Sequence, residues 1–333
     1  MINWTELDWA ALDRLRDGFL HGGAAAGPYW QSESALASYD LSYGERIGWK
    51  WDQVLRELTM RGWSPPDNAM VLDWGCGSGI AGRRVIAHFD PSRFAALQLW
   101  DHAPVAVDYA EKRARDAFPP LRVEAVTPGF LQGDGPIELL LISHVLNELP
   151  ADSLAALRKL ILRAQTVIWV EPGTRDVSRG LGMIREAVAS DFNVVAPCTH
   201  QNACPMFQAA NERHWCHFFA PPPPEIFANS DWVKFGQRAG IDLRSLPYCF
   251  LVLDRRDVPH LTDASRIIGR PEHFKPYARF LNCDSNGLGE LTLPKRANGA
   301  LFKELDRTKR PLVYRWQRSG DTVTDGASIA AGE

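Results

Sequence analysis

Val71–Ile86, VLDWGCGSGIAGRRVI, decides how this 333-residue chain is read. An apolar run closes on an acid, Asp73; Gly75, Gly77 and Gly79 follow at every second position; Ile80 to Ile86 then takes helical spacing. Glycines accept backbone angles that other residues resist, and they let the N–H groups of a helix start come close to an anionic ligand group. Strand, glycine turn and helix together form the cradle of a nucleotide-type cofactor. A dinucleotide fingerprint needs its third glycine at position 80, which is Ile80, so the loop is G-x-G-x-G. Cys76, inside the loop, reads as a small buried hydrophobe beside the cofactor rather than a reactive thiol.

Outward from the loop, strands (70–74, 94–101, 121–126, 137–143, 166–171, 192–195) alternate with helices (79–90, 104–117, 151–164, 179–189). This βαβ succession predicts a mostly parallel sheet covered on both faces. Leu246–Asp254, LPYCFLVLD, adds a late buried strand. Residues 1–66, rich in Trp, Leu, Ala, Glu and Arg, form a helical N-terminal region that Pro65-Pro66 closes. The α/β domain spans 67–260 and carries a cysteine-rich insertion at 196–224. Past 260, short strands at 278–283, 288–293 and 311–316 make a β-rich appendage (261–318), and the small polar residues of 319–333 read as a disordered tail.

With 45% hydrophobic and 23% charged residues the composition is that of a globular protein. MINWTELDWAALDRLRDGF has acids before any base and no long apolar run, which argues against a secretory signal or membrane span and for the cytoplasm. The net charge of −3 excludes a globally basic nucleic-acid binder. It is unevenly spread: Arg266–Arg318 holds 12 Lys and Arg against 5 Asp and Glu, leaving −10 on the rest. Such a basic segment suits either contact with RNA phosphates or a plain solvated face.

Ala196–Phe219, APCTHQNACPMFQAANERHWCHFF, gathers three of the six cysteines and three of the nine histidines. A reducing compartment disfavours a disulfide frame, so clustered cysteines point to metal. The spacing of Cys198, Cys204 and Cys216 is neither a zinc-ribbon pair nor a C2H2 finger. Cys249 sits in an apolar strand pattern and reads as core, whereas Cys283 ends a strand at a turn and is the better fourth thiol. Four cysteinates suit a four-iron four-sulfur cluster or zinc; His200 and His217 could instead complete a mixed zinc site.

The G-x-G-x-G loop resembles motif I of the Rossmann-like class I S-adenosylmethionine methyltransferases. That resemblance implies that Asp73 helps to hold the methionine ammonium group, that Gly75, Cys76, Gly77 and Gly79 line the cofactor, and that Asp101, closing the next strand in LQLWDHA with His102 beside it, binds the ribose hydroxyls. In ELLLISHVLNELP, Ser143 to Glu148 would border the cofactor and acceptor pocket. A second resemblance rests on VLNELP (145–150), VEPGT (170–174), Val194-Val195-Ala196-Pro197-Cys198 with His200, Ala203-Cys204-Pro205 and Trp215-Cys216-His217-Phe218. These segments resemble the methyltransferase-like proteins of the mitochondrial small ribosomal subunit and their bacterial homologues, over about Tyr39 to Trp316. The resemblance implies Cys198, Cys204, Cys216 and Cys283 as iron–sulfur ligands, and a monomer that works on the small ribosomal subunit or its rRNA, in ribosome biogenesis or translation, with no membrane partner. Thr199 stands where that family usually has a second Pro, and the C-terminal segment is less basic than the resemblance leads one to expect. The cluster would then tie the Rossmann-like domain to the basic appendage.

Methyl transfer from a sulfonium depends mainly on alignment in a dry pocket, so it does not require an acid or base. Strand four lacks the Asn/Asp-Pro-Pro-aromatic ending of many amino-group methyltransferases, and Asn147 and Glu148 suit helix capping as well as acceptor contact. No catalytic residue is assigned. The chain reads as an active methyltransferase or as a cofactor-binding assembly factor that transfers nothing.

Overall fold

The computed structural model describes residues 4–20, 30–307 and 309–329. Residues 21–29 of the expected helical N-terminus and 330–333 of the expected tail lie outside them. The chain divides into two compact units, one of Met1–Asp52, Pro65–Val170 and Pro221–Leu246, the other of Gln53–Ser64, Glu171–Ala220 and Pro247–Glu333. Both are interleaved along the chain, unlike the serial domains that the sequence suggested.

The first unit opens with helices α1 (Trp9–Leu20), α2 (Glu33–Tyr39) and the start of α3 (Glu45–Met60). Next come β1 (Ala69–Trp74), α4 (Ile80–Phe89), β2 (Phe94–Trp100), α5 (Pro104–Ala117), β3 (Arg122–Ala125), α6 (Pro128–Gln132), β4 (Ile137–Ser143), α7 (Ala151–Arg163) and β5 (Ala164–Pro172). The strands lie in the order β3-β2-β1-β4-β5, every pairing parallel. Val71, Leu72, Leu139 to Ile142 and Val167 to Val170 are fully buried. Strands covered on both faces need such unbroken apolar runs, which is why the sequence pattern located them. Between α2 and α3 a wide π-type turn, Asp40–Gly44, buries Asp40. Its carboxylate accepts from Arg83 (2.6 Å), Tyr109 (3.2 Å) and Arg113 (3.3 Å), pinning the helical preface to α4 and α5.

The second unit contains α8 (Arg175–Val188), β6 (Asn193–Ala196), β7 (Phe218–Phe219) and, after first-unit helix α9 (Ser230–Ala239), β8 (Pro247–Asp254), which pairs antiparallel with β6 and β7. It continues through β9 (Ser265–His273), β10 (Tyr277–Asp284), β11 (Gly287–Pro294), α10 (Gly299–Arg307), β12 (Val313–Ser319) and β13 (Thr322–Ser328). These five strands close into a barrel in the order β10-β11-β13-β12-β9, with the helix between the third and fourth strands. That is the connectivity of an OB-fold. Alternation along β10 points Phe280 inward, where it meets Leu291, Leu293, Tyr314, Val323 and, from α10, Leu301 and Leu305. The opposite row is Tyr277, Arg279, Leu281 and Cys283. Gly326 is required here: a Cβ would lie 2.4 Å from the Trp316 ring.

The β-rich appendage is thus a complete barrel, and it starts at Ser265. The expected disordered tail is corrected: Thr322–Ser328 is β13, hydrogen-bonded along β12, and without it the barrel would stay open.

Candidate cofactor site and cysteine centre

In the first unit, the acids that close β1 and β2 meet the glycine turn at the carboxyl edge of the sheet. Gly75, Gly77 and Gly79 take φ of 69°, 50° and 75°, left-handed values that cost L-residues about 1 kcal/mol or more. The turn is held by Cys76 N donating to Trp100 O (2.9 Å) and Gly77 N donating to Asp101 Oδ2 (2.9 Å). Asp101 Oδ1 accepts from Ala103 N (3.0 Å). Each Asp101 oxygen is thus engaged by a backbone donor, and the His102 backbone acts on the same carboxylate. Burial pushes this carboxyl up, and its backbone donors oppose the shift. His102, half-exposed, lies 3.3 Å from Asp101.

Asp73 is fully buried, its Oδ2 accepting from Gly82 N at 2.9 Å. A Cβ on Gly82 would sit 2.9 Å from that oxygen, so the glycine is what lets helix backbone approach the carboxylate. Asp73 Oδ1 has no hydrogen-bond partner among the described residues. Desolvation raises the carboxyl to about 7, against the pull of the Gly82 amide and Arg83. A buried acceptor left open is expensive, and a ligand ammonium group is the partner that would satisfy it. Burial also holds the Cys76 thiol well above its ordinary range, in keeping with an inert packing role.

Ser143 closes β4; beside it stand His144, inside the expected 143–148 border, and two residues that the sequence did not single out, Lys50 and Trp51. Trp51 Nε1 donates to Ser143 Oγ (2.9 Å), and Lys50 Nζ lies 3.0 Å from His144 Nε2. His144 takes φ 55°. Burial, then the Lys50 charge, drives its pKa well below the ordinary value, so the ring is neutral and Lys50 donates to it. The imidazole proton is thereby placed on Nδ1, 3.4 Å from Ser143 Oγ. Nothing in α3 marks Lys50 and Trp51 in advance, because the contact spans more than 90 residues.

In the second unit, the cysteine segment follows the cis Ala196–Pro197 peptide. Arg61, buried, donates to the carbonyls of Val195 (2.9 Å), Pro197 (2.8 Å) and Cys198 (2.9 Å). Glu57 bridges Arg61 and Arg266. Ser178 Oγ donates to Cys216 O (2.5 Å), and Cys204 N donates to Glu186 (3.2 Å), itself paired with Arg185. Cys283, on β10, places Sγ 3.8 Å from His200 Nε2. Burial pushes Cys204 up to about 11 and also raises Cys216 and Cys283; the Cys198 thiol adds to all three, and Cys204 to the latter two. The four thiols thus face one neighbourhood. All six cysteines are free, and Cys249 lies buried in β8, its Sγ 3.3 Å from Pro172 O, as a core residue.

Among the described residues, no group of three or more His, Cys, Asp or Glu side chains is placed to hold a single metal ion. Of the two histidines of the mixed zinc alternative, His217 donates from Nδ1 to Trp215 O (3.0 Å) and stacks on the Trp215 ring. Five buried polar atoms here lack partners among the described residues: Arg185 Nε, Arg266 Nε, Thr199 Oγ1, His200 Nδ1 and Glu57 Oε2. All four proposed ligands lie in the same unit, so a centre here would brace β10 against the cysteine segment rather than join two domains.

A parallel β3-β2-β1-β4-β5 sheet with a glycine turn after β1 and acids closing β1 and β2 defines the Rossmann-like class I methyltransferase fold. By sequence the chain belongs to the family described as mitochondrial small ribosomal subunit Rsm22, which matches residues 69–309. Similar solved structures include magnesium protoporphyrin IX methyltransferase of Synechocystis with bound S-adenosylhomocysteine (15% identity, 74% of this chain and 100% of that one, TM-score 0.40). Others are a Pyrococcus horikoshii protein provisionally described as an RNA methyltransferase (10%, 62% and 83%, TM-score 0.39) and a Galdieria sulphuraria protein provisionally described as a sarcosine dimethylglycine methyltransferase (18%, 62% and 86%, TM-score 0.36). No curated protein matches the chain. No described helix is long and apolar enough to cross a membrane.

Proposed function

We propose that this chain is an S-adenosylmethionine-dependent methyltransferase-like protein that acts on or with the small ribosomal subunit. The observation that carries the reading is Asp73: a buried carboxylate at the head of the glycine turn, one oxygen fixed by Gly82 N and the other open. Asp73 would take the cofactor's ammonium group, the turn of Gly75, Cys76, Gly77 and Gly79 its carboxylate end, and Asp101 with His102 its ribose. Ser143 would border the reacting end. When bound, the cofactor supplies a sulfonium methyl group for displacement. The chain's part is to orient the acceptor and exclude water, with Ser143 and His144 fixed in place by Trp51 and Lys50.

The partner rests on the family description, which names the small ribosomal subunit. That description also names the mitochondrion, and lends nothing to the cytoplasmic placement expected from the N-terminal sequence.

Cys198, Cys204, Cys216 and Cys283 would hold a four-iron four-sulfur cluster. Two features suit this group. Its cysteines each bind a different iron, and Cys198, Cys204 and Cys283 all act electrostatically on the buried Cys216, as neighbours around one centre would. The unpartnered donors Arg185 Nε, Arg266 Nε and Thr199 Oγ1 also suit a group that brings inorganic sulfide acceptors and net negative charge. The cluster would be structural.

One observation favours a second reading, an assembly factor that binds cofactor without transferring methyl. The lone pair of the neutral His144 Nε2 is occupied by Lys50, so an acceptor that must lose a proton before it can be methylated finds no free imidazole here. Incubation with methyl-labelled cofactor and small-subunit precursor, with RNA and protein separated, decides between them. Label that disappears in Asp73→Ala supports transfer; cofactor binding with no label in either fraction overturns it.

A further inference from the structure

The OB-type barrel carries a groove that neither the methyltransferase sheet nor the cysteine centre uses. In barrels of this topology, the outer face of the second and third strands and the loops after the first and fourth strands take oligomeric ligands. Here those strands are β10 and β11, and the loops are 274–276 and 320–321. Half of the face is already taken. At its far end Cys283 meets His200, and Asn202 Nδ2 donates to Ser285 O (3.1 Å).

The other half is open. A cavity of about 600 Å³ is lined by Pro276, Tyr277, Thr292, Pro294, Lys295 and Arg296. Thr292 N donates to Asp321 O (2.9 Å), so the 320–321 loop reaches the same end. Phe274 is 40% exposed, an unusual placement for a large apolar ring, and it stacks on Tyr277 with centroids 4.8 Å apart and planes at 27°. Arg279 lies over the same ring, 5.5 Å from its centroid, but Glu272 neutralises it. Lys275, Lys295 and Arg296 are exposed, and none has a carboxylate partner among the described residues; Lys295 Nζ lies 5.6 Å from the centroid of the Phe302 ring. Aromatic planes for bases beside unpaired cations for phosphates are the two components of single-strand recognition.

We propose that this groove binds single-stranded RNA, with Phe274 and Tyr277 stacking on bases and Lys275, Lys295 and Arg296 contacting phosphates. The open half-face has room for about two or three nucleotides, fewer than a whole barrel face takes. This deepens the small-subunit reading by naming the form of RNA recognised and the residues that touch it. A-form duplex does not present unstacked bases, so the groove discriminates against it. Neutral oligosaccharides, the other common ligands of such barrels, make no use of three unpaired cations.

The test is fluorescence anisotropy of the full chain with a labelled single-stranded octaribonucleotide, competed by the same sequence as duplex. Single strand should bind at least tenfold more tightly than duplex. Phe274→Ala should weaken binding about fivefold or more. Lys295→Gln with Arg296→Gln should flatten the dependence of log K on log salt by about 0.7 for each lost contact. The exposed Lys159→Gln should change neither. Phe274, Lys295 and Arg296 are surface residues, and an unchanged thermal melt establishes that the variants fold. Variants within twofold of the unaltered chain, or equal binding of duplex, overturn the groove. If those same variants also bind small-subunit precursor undiminished, the groove falls and the small-subunit reading stands. A chain that binds the octamer through these residues but ignores the precursor leaves the groove standing and removes the reading.

Discussion

The open oxygen of Asp73 makes cofactor affinity depend on pH in a direction that can be worked out. Without ligand, the carboxyl titrates near 7 because it is buried and has a single backbone donor. Its neighbours are Arg83 on α4, which lowers it, and Asp101 on β2, which raises it. An ammonium group on Oδ1 requires the carboxylate, so binding at lower pH must expel a proton. The apparent dissociation constant then scales as one plus the ratio of protonated to ionised Asp73, and weakens about tenfold, or ~1.4 kcal/mol, between pH 8 and pH 6. His144 does not add to this window, because its pKa lies well below 6.5. Calorimetry with S-adenosylhomocysteine in buffers of different ionisation enthalpy should show about half a proton released at pH 7 and about 0.9 at pH 6. Asp73→Asn should bind more weakly and without the slope. The stability linkage has the opposite course: with the native pKa raised, this carboxyl's contribution is full below its unfolded value near 4 and is lost as pH rises through 7 in the ligand-free protein. Affinity flat within twofold from pH 6 to 8, or a slope that survives in Asp73→Asn, would refute the reasoning.

Other outcomes follow from single contacts. Gly82→Ala would bring a Cβ to 2.9 Å from Asp73 Oδ2 and 3.0 Å from Leu97; it should cost about 1–3 kcal/mol in urea unfolding and weaken S-adenosylhomocysteine binding. Cys283→Ser should abolish the iron and acid-labile sulfide of reconstituted protein while Cys249→Ser retains both, measured by metal analysis and visible absorption. Arg61→Met removes the donor to three carbonyls and leaves Glu57 with Arg266 alone; about 3–5 kcal/mol should be lost in a denaturant titration. Arg185→Gln should speed iron loss to a chelator severalfold, with an unchanged far-ultraviolet spectrum.

What the sequence disclosed tracks how local the determining interaction is. The parallel strands were legible because burial on both faces writes an unbroken apolar run, as in Leu139 to Ile142. The glycine turn was legible because three positive φ angles within five residues admit little else. By contrast, β9 contains Gly269 and Pro271, and β13 reads Thr-Val-Thr-Asp-Gly-Ala-Ser. Only closure of the barrel, with Val323 entering its core, makes a strand of that polar stretch. Lys50, Trp51 and Arg61 were invisible for a related reason. Lys50 and Trp51 lie in α3 and Arg61 in the turn just past its end, each with a partner that arrives more than 90 residues later, and helical periodicity records which face is buried but not what polar group meets it.

The two sites differ in the balance of what they leave unpaired, and the balance constrains the ligand. In the first unit's glycine turn, where Ser78 Oγ is also open, Asp73 Oδ1 is an open buried acceptor on a carboxyl with a raised pKa. Only a donor relieves it, and a cationic donor also relieves the cost of ionising it. In the second unit the open buried atoms near the thiols are mostly donors among the described residues: Arg185 Nε and Arg266 Nε, which can only donate, and Thr199 Oγ1 and His200 Nδ1, which can; Glu57 Oε2, between Arg61 and Arg266, is an open acceptor. There four arginines, Arg61, Arg185, Arg266 and Arg318, meet three acids, Glu57, Glu186 and Asp284, which leaves one positive charge in excess. Four neutral thiols do not compensate that charge. Four thiolates around an iron–sulfur core do, so the pocket is better balanced loaded than empty. Removing the cluster should therefore destabilise the cysteine segment by more than the loss of its cross-links alone. Substituting glutamine at Arg185 should narrow the difference in thermal midpoint between loaded and stripped protein, because the stripped form then buries one charge fewer. A difference that is unchanged or wider in Arg185→Gln would show that the excess charge is met some other way.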